Sequence, residues 1–227
     1  MKSAWMPEIL AVLQKEMKTE QRSRAGFLTS LLSSVLIVIS LAYGAFGSKL
    51  EGTLAAGLFW VALIFAAVAA LPRTFLAEEE AGTADLLRLA ARPHAIFWGK
   101  ALFNCIQILL TAVILVALFS VMMGLTVKLP LMLAVGLVGG ALGLAGTVTF
   151  GAALVAQGSN RTMLVGVVCL PLMIPLIMMG ISAFRVAFGQ GEMAGGWASA
   201  LGVWFYALLV FSIAPNLFAM IWQGKRS

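Results

Sequence analysis

Long apolar stretches without charged residues make up most of the chain, and short polar segments separate them. Six such stretches are 19 to 25 residues long. Because the hydrocarbon core of a bilayer is about 30 Å thick and needs about 20 helical residues to cross, each stretch predicts a membrane-spanning helix. The pattern therefore predicts an all-α integral membrane protein that forms a single domain over residues 1–227. The predicted spans are residues 26–46, 53–71, 101–124, 131–155, 162–184 and 198–222.

The segment before the first span, residues 1–25, is polar and basic, but apolar side chains recur in it at helical spacing. One helix face carries Trp5, Ile9, Val12 or Leu13, and Met17. A basic amphipathic helix ahead of a span is expected to lie in the membrane interface with its apolar face toward the acyl chains, and a solvated helix is the alternative. A cleaved signal peptide is disfavoured because its charged region would be too long.

Composition and charge narrow the class of protein further. The chain is 62% hydrophobic and 11% charged with a mean hydropathy of +1.03, whereas soluble domains carry about 25% charged residues. The net charge of +6 comes from basic residues beside apolar runs, which favours membrane topology over nucleic-acid binding. With both termini in the cytoplasm, only Lys49, Lys128 and Arg185 of the 15 basic residues lie outside. The positive-inside rule therefore predicts cytoplasmic termini.

The apolar runs offer little chemistry of their own. None carries an ionisable residue near its middle, which disfavours a proton-coupled transporter and an intramembrane hydrolase. Cys105 and Cys169 lack metal-site or disulfide spacing, and the single histidine, His94, has no second ligand in sequence. The chain has no P-loop, because Gly99-Lys100 lacks the preceding glycine. We therefore expect no catalytic residues, no enzyme activity and no cofactor bound by this chain alone, with any ATP bound by a separate protein.

The charged segment 73–100 lies between the second and third spans, with Pro72 expected to end the second helix. Within this segment, Thr83 is a suitable N-cap and Pro93 a stop, so the sequence predicts a short helix, Ala84–Ala91. The helix dipole favours an acidic residue in the first turn, where Asp85 lies. It favours basic residues near the last turn, where Arg88 and Arg92 lie. The preceding residues Glu78, Glu79 and Glu80 are expected at an elbow that faces the cytoplasm or a basic partner surface.

Small residues and prolines mark the later spans. Four glycines and Thr147 lie on one face of the fourth span, where they allow close helix packing. Pro171 and Pro175 predict a kink in the fifth span, and the glycine-rich residues 185–197 predict an exposed outer loop. The candidate packing glycines are Gly136, Gly140, Gly143 and Gly151.

Two parts of the chain resemble a known family. The run EEAGTADLL at 79–87, followed by Arg92-Pro93 and Gly99-Lys100, resembles the coupling loop of type 2 ABC exporter permeases. The run LPLMIPL at 170–176, the basic arm QRSR at 21–24, the six spans and the length are similar to the CcmB family, a membrane component of the haem exporter in bacterial cytochrome c maturation.

This resemblance implies a permease-like subunit of the bacterial inner membrane whose short loop helix docks on a separate cytoplasmic ABC ATPase. It implies ATP on that partner, haem at the level of the complex, and further partners: other cytochrome c maturation membrane subunits, a periplasmic haem chaperone, the bilayer, and a second copy of the chain as a candidate. A permease for another cargo, such as a lipid-linked glycan or a drug, and a non-transporting assembly scaffold remain alternatives. The implied ATPase-contact residues are Glu79, Glu80, Gly82, Thr83, Asp85, Leu86, Leu87, Arg88, Arg92 and Pro93.

Overall fold

The computed structural model describes residues 5–44, 51–157 and 161–223, and every regular element in these ranges is an α-helix. Six of the eight helices there are long and apolar enough to cross a membrane, which confirms the predicted all-α membrane fold. The two remaining helices are the first and the fourth along the chain. The helices are α1 (Trp5–Ser23), α2 (Ala25–Gly44), α3 (Gly52–Glu80), α4 (Ala84–Ala90), α5 (Pro93–Met123), α6 (Pro130–Gln157), α7 (Arg161–Ala187) and α8 (Met193–Gln223).

Helix α6 lies at the centre of the bundle, in contact with α3, α5, α7 and α8. Its small residues allow large side chains of the neighbours to approach. A Cβ on Gly136 would lie 3.1 Å from the ring of Phe184, and one on Gly140 would lie 2.7 Å from the ring of Trp60. The indole of Trp60 is fully buried and also covers Gly180 of α7. These glycines therefore let α3 and α7 pack closely on α6.

One end of the bundle, which we call the charged end, holds α1, α4 and the last turns of α8. Helix α3 reaches this end unbroken, so the prediction that Pro72 ends the second helix is wrong. A proline removes only one helical hydrogen bond, and packing by neighbouring helices can offset that cost. Just beyond Pro72, Phe75 is fully buried and its ring lies 5.3 Å from that of Phe218 and 5.4 Å from that of Trp222, both on α8.

At the opposite end, the loop between α7 and α8 is shorter than the sequence predicted. Residues 185–187 complete α7 and α8 already begins at Met193, so only 188–192 are not helical. Within this turn, the side-chain Oε1 of Gln190 accepts a hydrogen bond from the backbone N–H of Thr53 at 2.8 Å and another from the Thr53 hydroxyl at 3.0 Å. The α7–α8 turn thus caps the first turn of α3.

The two prolines of the predicted kink, Pro171 and Pro175, both lie inside α7 and are exposed on the bundle surface. The phenolic hydroxyl of Tyr206 on α8 donates a hydrogen bond to the carbonyl of Leu172 at 2.6 Å, between these prolines. The same hydroxyl lies 3.0 Å from that of Thr147 on α6. Three spans are therefore joined by one short polar chain in mid-bundle.

Candidate functional site

The short helix predicted in the loop is present as α4, Ala84–Ala90, and ends one residue earlier than expected. Gly82 before it has φ +66°, a left-handed conformation that suits glycine and turns the chain sharply after α3. Thr83 occupies the N-cap position, but its side chain does not cap the helix. The Thr83 hydroxyl instead donates to the carbonyl of Glu78 at 3.4 Å, so it joins α4 to the end of α3.

Arg88 fixes α4 against two spans. Its guanidinium is mostly buried, with Nη2 2.9 Å from a carboxylate oxygen of Glu79 and Nη1 2.5 Å from one of Asp85. The guanidinium carbon also lies 4.6 Å from the centre of the Trp222 ring at the end of α8, a cation–π distance. Arg88 therefore binds α4 to the last turn of α3 and to α8 at once.

The outward face of α4 is apolar although it lies beyond the spans. Leu86 is 66% exposed and Leu89 is 79% exposed, whereas Leu87 is half-buried and packs against the hydrophobic core. Since residues three apart share a helix face, Leu86 and Leu89 form one exposed pair. The exposed side chain of Asp85 lies beside this pair. An exposed apolar patch with a charged rim is typical of a docking surface for another protein.

The sequence suggested that Arg92 interacts with the carboxyl end of α4, but the structure places it elsewhere. It is the N-cap residue of α5, and Pro93 is the first residue of that helix. The Arg92 side chain pairs with Glu8 of α1 at 3.5 Å and lies over the ring of Trp5, 5.9 Å from the ring centre. The connection between α4 and α5 is thereby attached to the beginning of α1.

Below α4, a cluster of four charges, three of them largely buried, joins α1, α3 and α5. The Nζ of Lys100, whose side chain is 1% exposed, lies 2.7 Å from Glu16 and 3.1 Å from Glu78. Lys15 pairs with the same two carboxylates, at 2.9 Å from Glu16 and in direct hydrogen-bond contact with Glu78. Lys100 also donates to the backbone carbonyl of Thr74 at 2.6 Å. Two lysines and two glutamates thus neutralise one another at the charged end.

Two members of this cluster, Lys15 and Glu16, lie on α1. In both, the charge–charge interactions and hydrogen bonds together shift the pKa more than burial does. Burial alone would raise the pKa of Glu16, but the ammonium groups of Lys100 and Lys15 lower it below its ordinary value. Burial alone would lower the pKa of Lys15, but the carboxylates of Glu16 and Glu78 raise it above its ordinary value. Both shifts favour the ionised forms, so the two groups are charged at neutral pH.

The three consecutive glutamates were expected to face the cytoplasm or a basic partner surface. This expectation is wrong for Glu78 and Glu79. Glu78 is buried in the cluster and Glu79 is turned toward Arg88, while Glu80 alone is exposed as predicted. Because α3 continues as a helix to Glu80, its last turns rotate successive side chains to different sides. One glutamate therefore faces the bundle interior, where Lys100 compensates its charge.

Helix α1 is held against the protein by the face that was expected to contact acyl chains. Val12 is 4% exposed and packs on Gly99, where a Cβ would lie only 2.6 Å from the Val12 side chain. Ile9 is half-buried on the same face, and the ring of Trp5 lies 5.4 Å from that of His94. The expected contact of this face with acyl chains was wrong because helical periodicity identifies an apolar face but does not distinguish lipid from a neighbouring helix.

A hydrogen-bond chain continues from the charged cluster into the bundle. The side-chain amide of Asn104 donates to the hydroxyl of Thr149 on α6 at 2.9 Å and to that of Thr74 on α3 at 3.3 Å. His94, at the start of α5, lies 3.2 Å from the side-chain oxygen of Asn216. Within the described ranges, the acidic, histidine and cysteine side chains form no cluster that could hold a metal ion.

Comparison with known proteins agrees with this architecture. The family model described as "CcmB protein" matches residues 7–221, nearly the whole chain and all eight helices. The chain belongs to the CcmB family. A curated relative from Pseudomonas aeruginosa named "Heme exporter protein B" is 32% identical over 202 residues, which cover 86% of this chain and 89% of that protein.

Two further relatives carry the same name. The protein from Rhodobacter capsulatus is 30% identical over 178 residues, which cover 77% of this chain and 81% of the relative. The protein from Bradyrhizobium diazoefficiens is 25% identical over 194 residues, which cover 84% and 86% of the two chains. Membership in the CcmB family and the six apolar helices together indicate a multi-pass membrane protein of haem transport and cytochrome c biogenesis.

In this CcmB family member, the residues chosen from the sequence separate into three groups. The first group is exposed at the charged end: Glu80, Gly82, Thr83, Asp85 and Leu86. The second group, Glu79, Leu87 and Arg88, faces inward and holds α4 in place. The third group, Arg92 and Pro93, forms the beginning of α5.

Sequence reasoning missed two residues of the site, Glu16 and Lys100. Glu16 carries a weak signal, a carboxylate on the apolar face of an amphipathic helix, which requires a cation opposite it. Lys100 had no local signal, because its burial depends on the packing of α1 and α3 around it.

Proposed function

We propose that this chain is the membrane permease subunit of an ABC-type haem-export complex for cytochrome c biogenesis, and that a separate ATPase docks on α4. The observation that carries the proposal is the exposed pair Leu86 and Leu89 on a helix that Arg88 clamps to the spans. A helix that is apolar toward solvent and rigidly attached to two spans suits the transfer of movement from a partner. The names of the three relatives support haem export as the process.

In this proposal the charged end faces the cytoplasm of a bacterium and the spans cross its inner membrane. Support comes from the basic residues, most of which fall on this end when the termini are cytoplasmic. ATP is then available to a motor protein at α4. The α7–α8 turn at the opposite end faces the periplasm.

The exposed residues around α4 indicate which features the docking site on the ATPase needs. Leu86 and Leu89 require an apolar recess, while the exposed carboxylates of Glu80 and Asp85 require basic side chains at its rim. Complementary charge at a rim speeds encounter and fixes orientation, and a buried apolar centre supplies most of the affinity. The proposed partner site is therefore an apolar groove with basic edges.

Movement at α4 would reach the opposite end through α3. This helix has 29 residues, so it is about 43 Å long. Near the charged end, Glu78 and Glu79 connect it to α1, α4 and α5, and at the other end Thr53 is bonded to Gln190 of the α7–α8 turn. A displacement of α4 on ATP binding would thus shift the periplasmic turn as α3 moves as a rigid lever.

Haem ligation is assigned to other subunits of the complex in this proposal. The chain contains one histidine, His94, and its ring is engaged with Asn216 and Trp5 at the charged end. This chain therefore offers haem no imidazole ligand at the opposite end. In this proposal haem is held at the level of the complex, and ATP hydrolysis drives release of a haem-loaded periplasmic chaperone.

The experiment that tests this function is affinity purification of the tagged chain from a bacterium that makes c-type cytochromes, after replacement of its native CcmB family protein. We expect an ABC ATPase and further membrane subunits to co-purify, haem absorbance in the complex, and restored c-type cytochromes. A matched strain carries the chain with its loop residues 79–92 replaced by a Gly/Ser linker of equal length. Purification without any ATPase, or restored cytochromes in the linker strain, would overturn the proposal.

A further inference from the structure

Helix α1 lies at the level where the spans enter the membrane. Only Arg24 separates it from α2, and Ala25–Gly44 carries no charge. Further along α1, Val12 packs on Gly99, close to Ala101, where the uncharged part of α5 begins. Two points of α1 are therefore fixed at the boundary between hydrocarbon and headgroups, and the helix lies along this boundary.

The carboxylates of α1 are turned toward the protein. Glu8 and Glu16 form the ion pairs with Arg92 and Lys100 described above. Glu20 accepts a hydrogen bond at 2.6 Å from the backbone N–H of Phe27 in the first turn of α2. The three acidic side chains of α1 therefore contact the protein and do not form ion pairs with the cations of its outer face.

The outer face of α1 carries cations beside an open groove of about 350 Å³. Within the described part of the chain, Lys18 and Arg22 take part in no ion pair, and both are exposed. Lys15 lies at the inner edge of the groove, but its charge is paired with Glu16 and Glu78. The groove is lined by Ala11, Gln14, Lys15, Lys18, Thr19 and Arg22.

Next to the cationic face, α1 exposes apolar side chains at the same level. Met6 is 68% exposed and Leu10 is 47% exposed. A ligand that suits both faces carries a negative headgroup at the boundary and acyl chains below it. We propose that the outer face of α1 is a binding site for an anionic phospholipid, with the lipid phosphate held by Lys18 and Arg22 and the acyl chains in the hydrocarbon below the helix.

An acidic protein surface is the rival occupant of this groove, and the charges nearby favour the lipid. The exposed face of α4 carries Glu80 and Asp85, so a protein that docks there needs a basic rim. In the proposed function, a partner that extended from α4 over α1 would therefore be repelled by Lys18 and Arg22. A phospholipid avoids this conflict because it reaches α1 from within the membrane plane.

Native mass spectrometry of the purified full chain tests the site. The protein is equilibrated in detergent with phosphatidylglycerol or phosphatidylcholine, and the retained lipid is counted for the wild type and for K18Q/R22Q. Each cation near an anionic lipid surface contributes about 1 kcal/mol, so the double variant should retain phosphatidylglycerol about 30-fold less well. The matched control K128Q/R185Q, which removes two exposed cations at the opposite end, should retain it like the wild type.

Further measurements check the fold of the variant and the identity of the ligand. Elution volume and thermal midpoint of K18Q/R22Q in detergent should equal those of the wild type, because both side chains are exposed. Millimolar glycerol phosphate should not displace the lipid, since it lacks acyl chains. The proposed site would be overturned if K18Q/R22Q retained as much phosphatidylglycerol as the wild type, or if both double variants lost it equally. Displacement of the lipid by glycerol phosphate would also overturn it. Unchanged lipid retention with loss of a co-purifying protein would assign the face to a protein partner instead.

Discussion

Replacing Lys100 by Met is expected to lower the free energy of unfolding by about 3–5 kcal/mol, the cost of removing one partner from a buried ion pair. The ammonium group is almost fully buried and compensates both Glu16 and Glu78. Without it, these two carboxylates share only Lys15, which is partly exposed. Since about 1 kcal/mol shifts the midpoint of a chain of this size by roughly 2–4 °C, we expect the thermal midpoint in detergent to fall by about 10 °C.

Two control variants separate the loss of the ion pairs from the general loss of a lysine. Lys18→Met, on the exposed side of α1, should change the unfolding free energy by no more than about 0.5 kcal/mol. Adding Glu78→Gln to Lys100→Met should recover a large part of the lost stability, because it removes the uncompensated charge. A wild-type thermal midpoint for Lys100→Met would show that the cluster does not hold α1 to the spans.

The double substitution Leu86→Asp/Leu89→Asp is expected to abolish docking of the ATPase, with an affinity loss of at least about 100-fold. Each aspartate would place a charge in an apolar recess without a partner, and about 3 kcal/mol in total gives that factor. Binding of the purified ATPase to the chain in nanodiscs, measured by biolayer interferometry, gives the two affinities. The fold should be unaffected, because both leucines are mostly exposed.

The matched control for docking is Leu86→Met/Leu89→Met, which keeps the apolar contact and should bind within about threefold of the wild type. Leu87→Asp serves a different purpose. Leu87 packs on the core, so its substitution should lower the thermal midpoint as well as the binding. If Leu86→Asp/Leu89→Asp bound the ATPase like the wild type, α4 would not be the docking element.

The sequence was sufficient to predict the helices that cross the membrane, because an uncharged run of about 20 residues has few other stable structures. The short helix after Gly82 was also predictable, since a helix breaker, an N-cap residue and Pro93 enclose it within a few residues. These signals are local. They do not depend on which other helices lie nearby.

Three of the predictions that were wrong depended on neighbouring helices. Pro72 lies inside a helix because α8 packs beside the residues that follow it. Glu78 is buried because Lys15 and Lys100, far from it in sequence, meet at its side chain. Val12 faces α5 instead of lipid because Gly99 leaves room for it. Long-range packing of this kind has no periodic signal in the sequence, which explains why the apolar face of α1 was assigned to contact with acyl chains.

Site-specific photocrosslinking tests the central claim, that α4 is the contact with a separate ATPase, most directly. A benzophenone side chain in place of Leu89 is activated by light in the assembled complex in its native membrane. The same group at Leu131, also exposed but at the opposite end, is the control. We predict that position 89 cross-links to the ATPase and that position 131 does not. Cross-links from position 89 only to lipid or to other membrane subunits would contradict the claim.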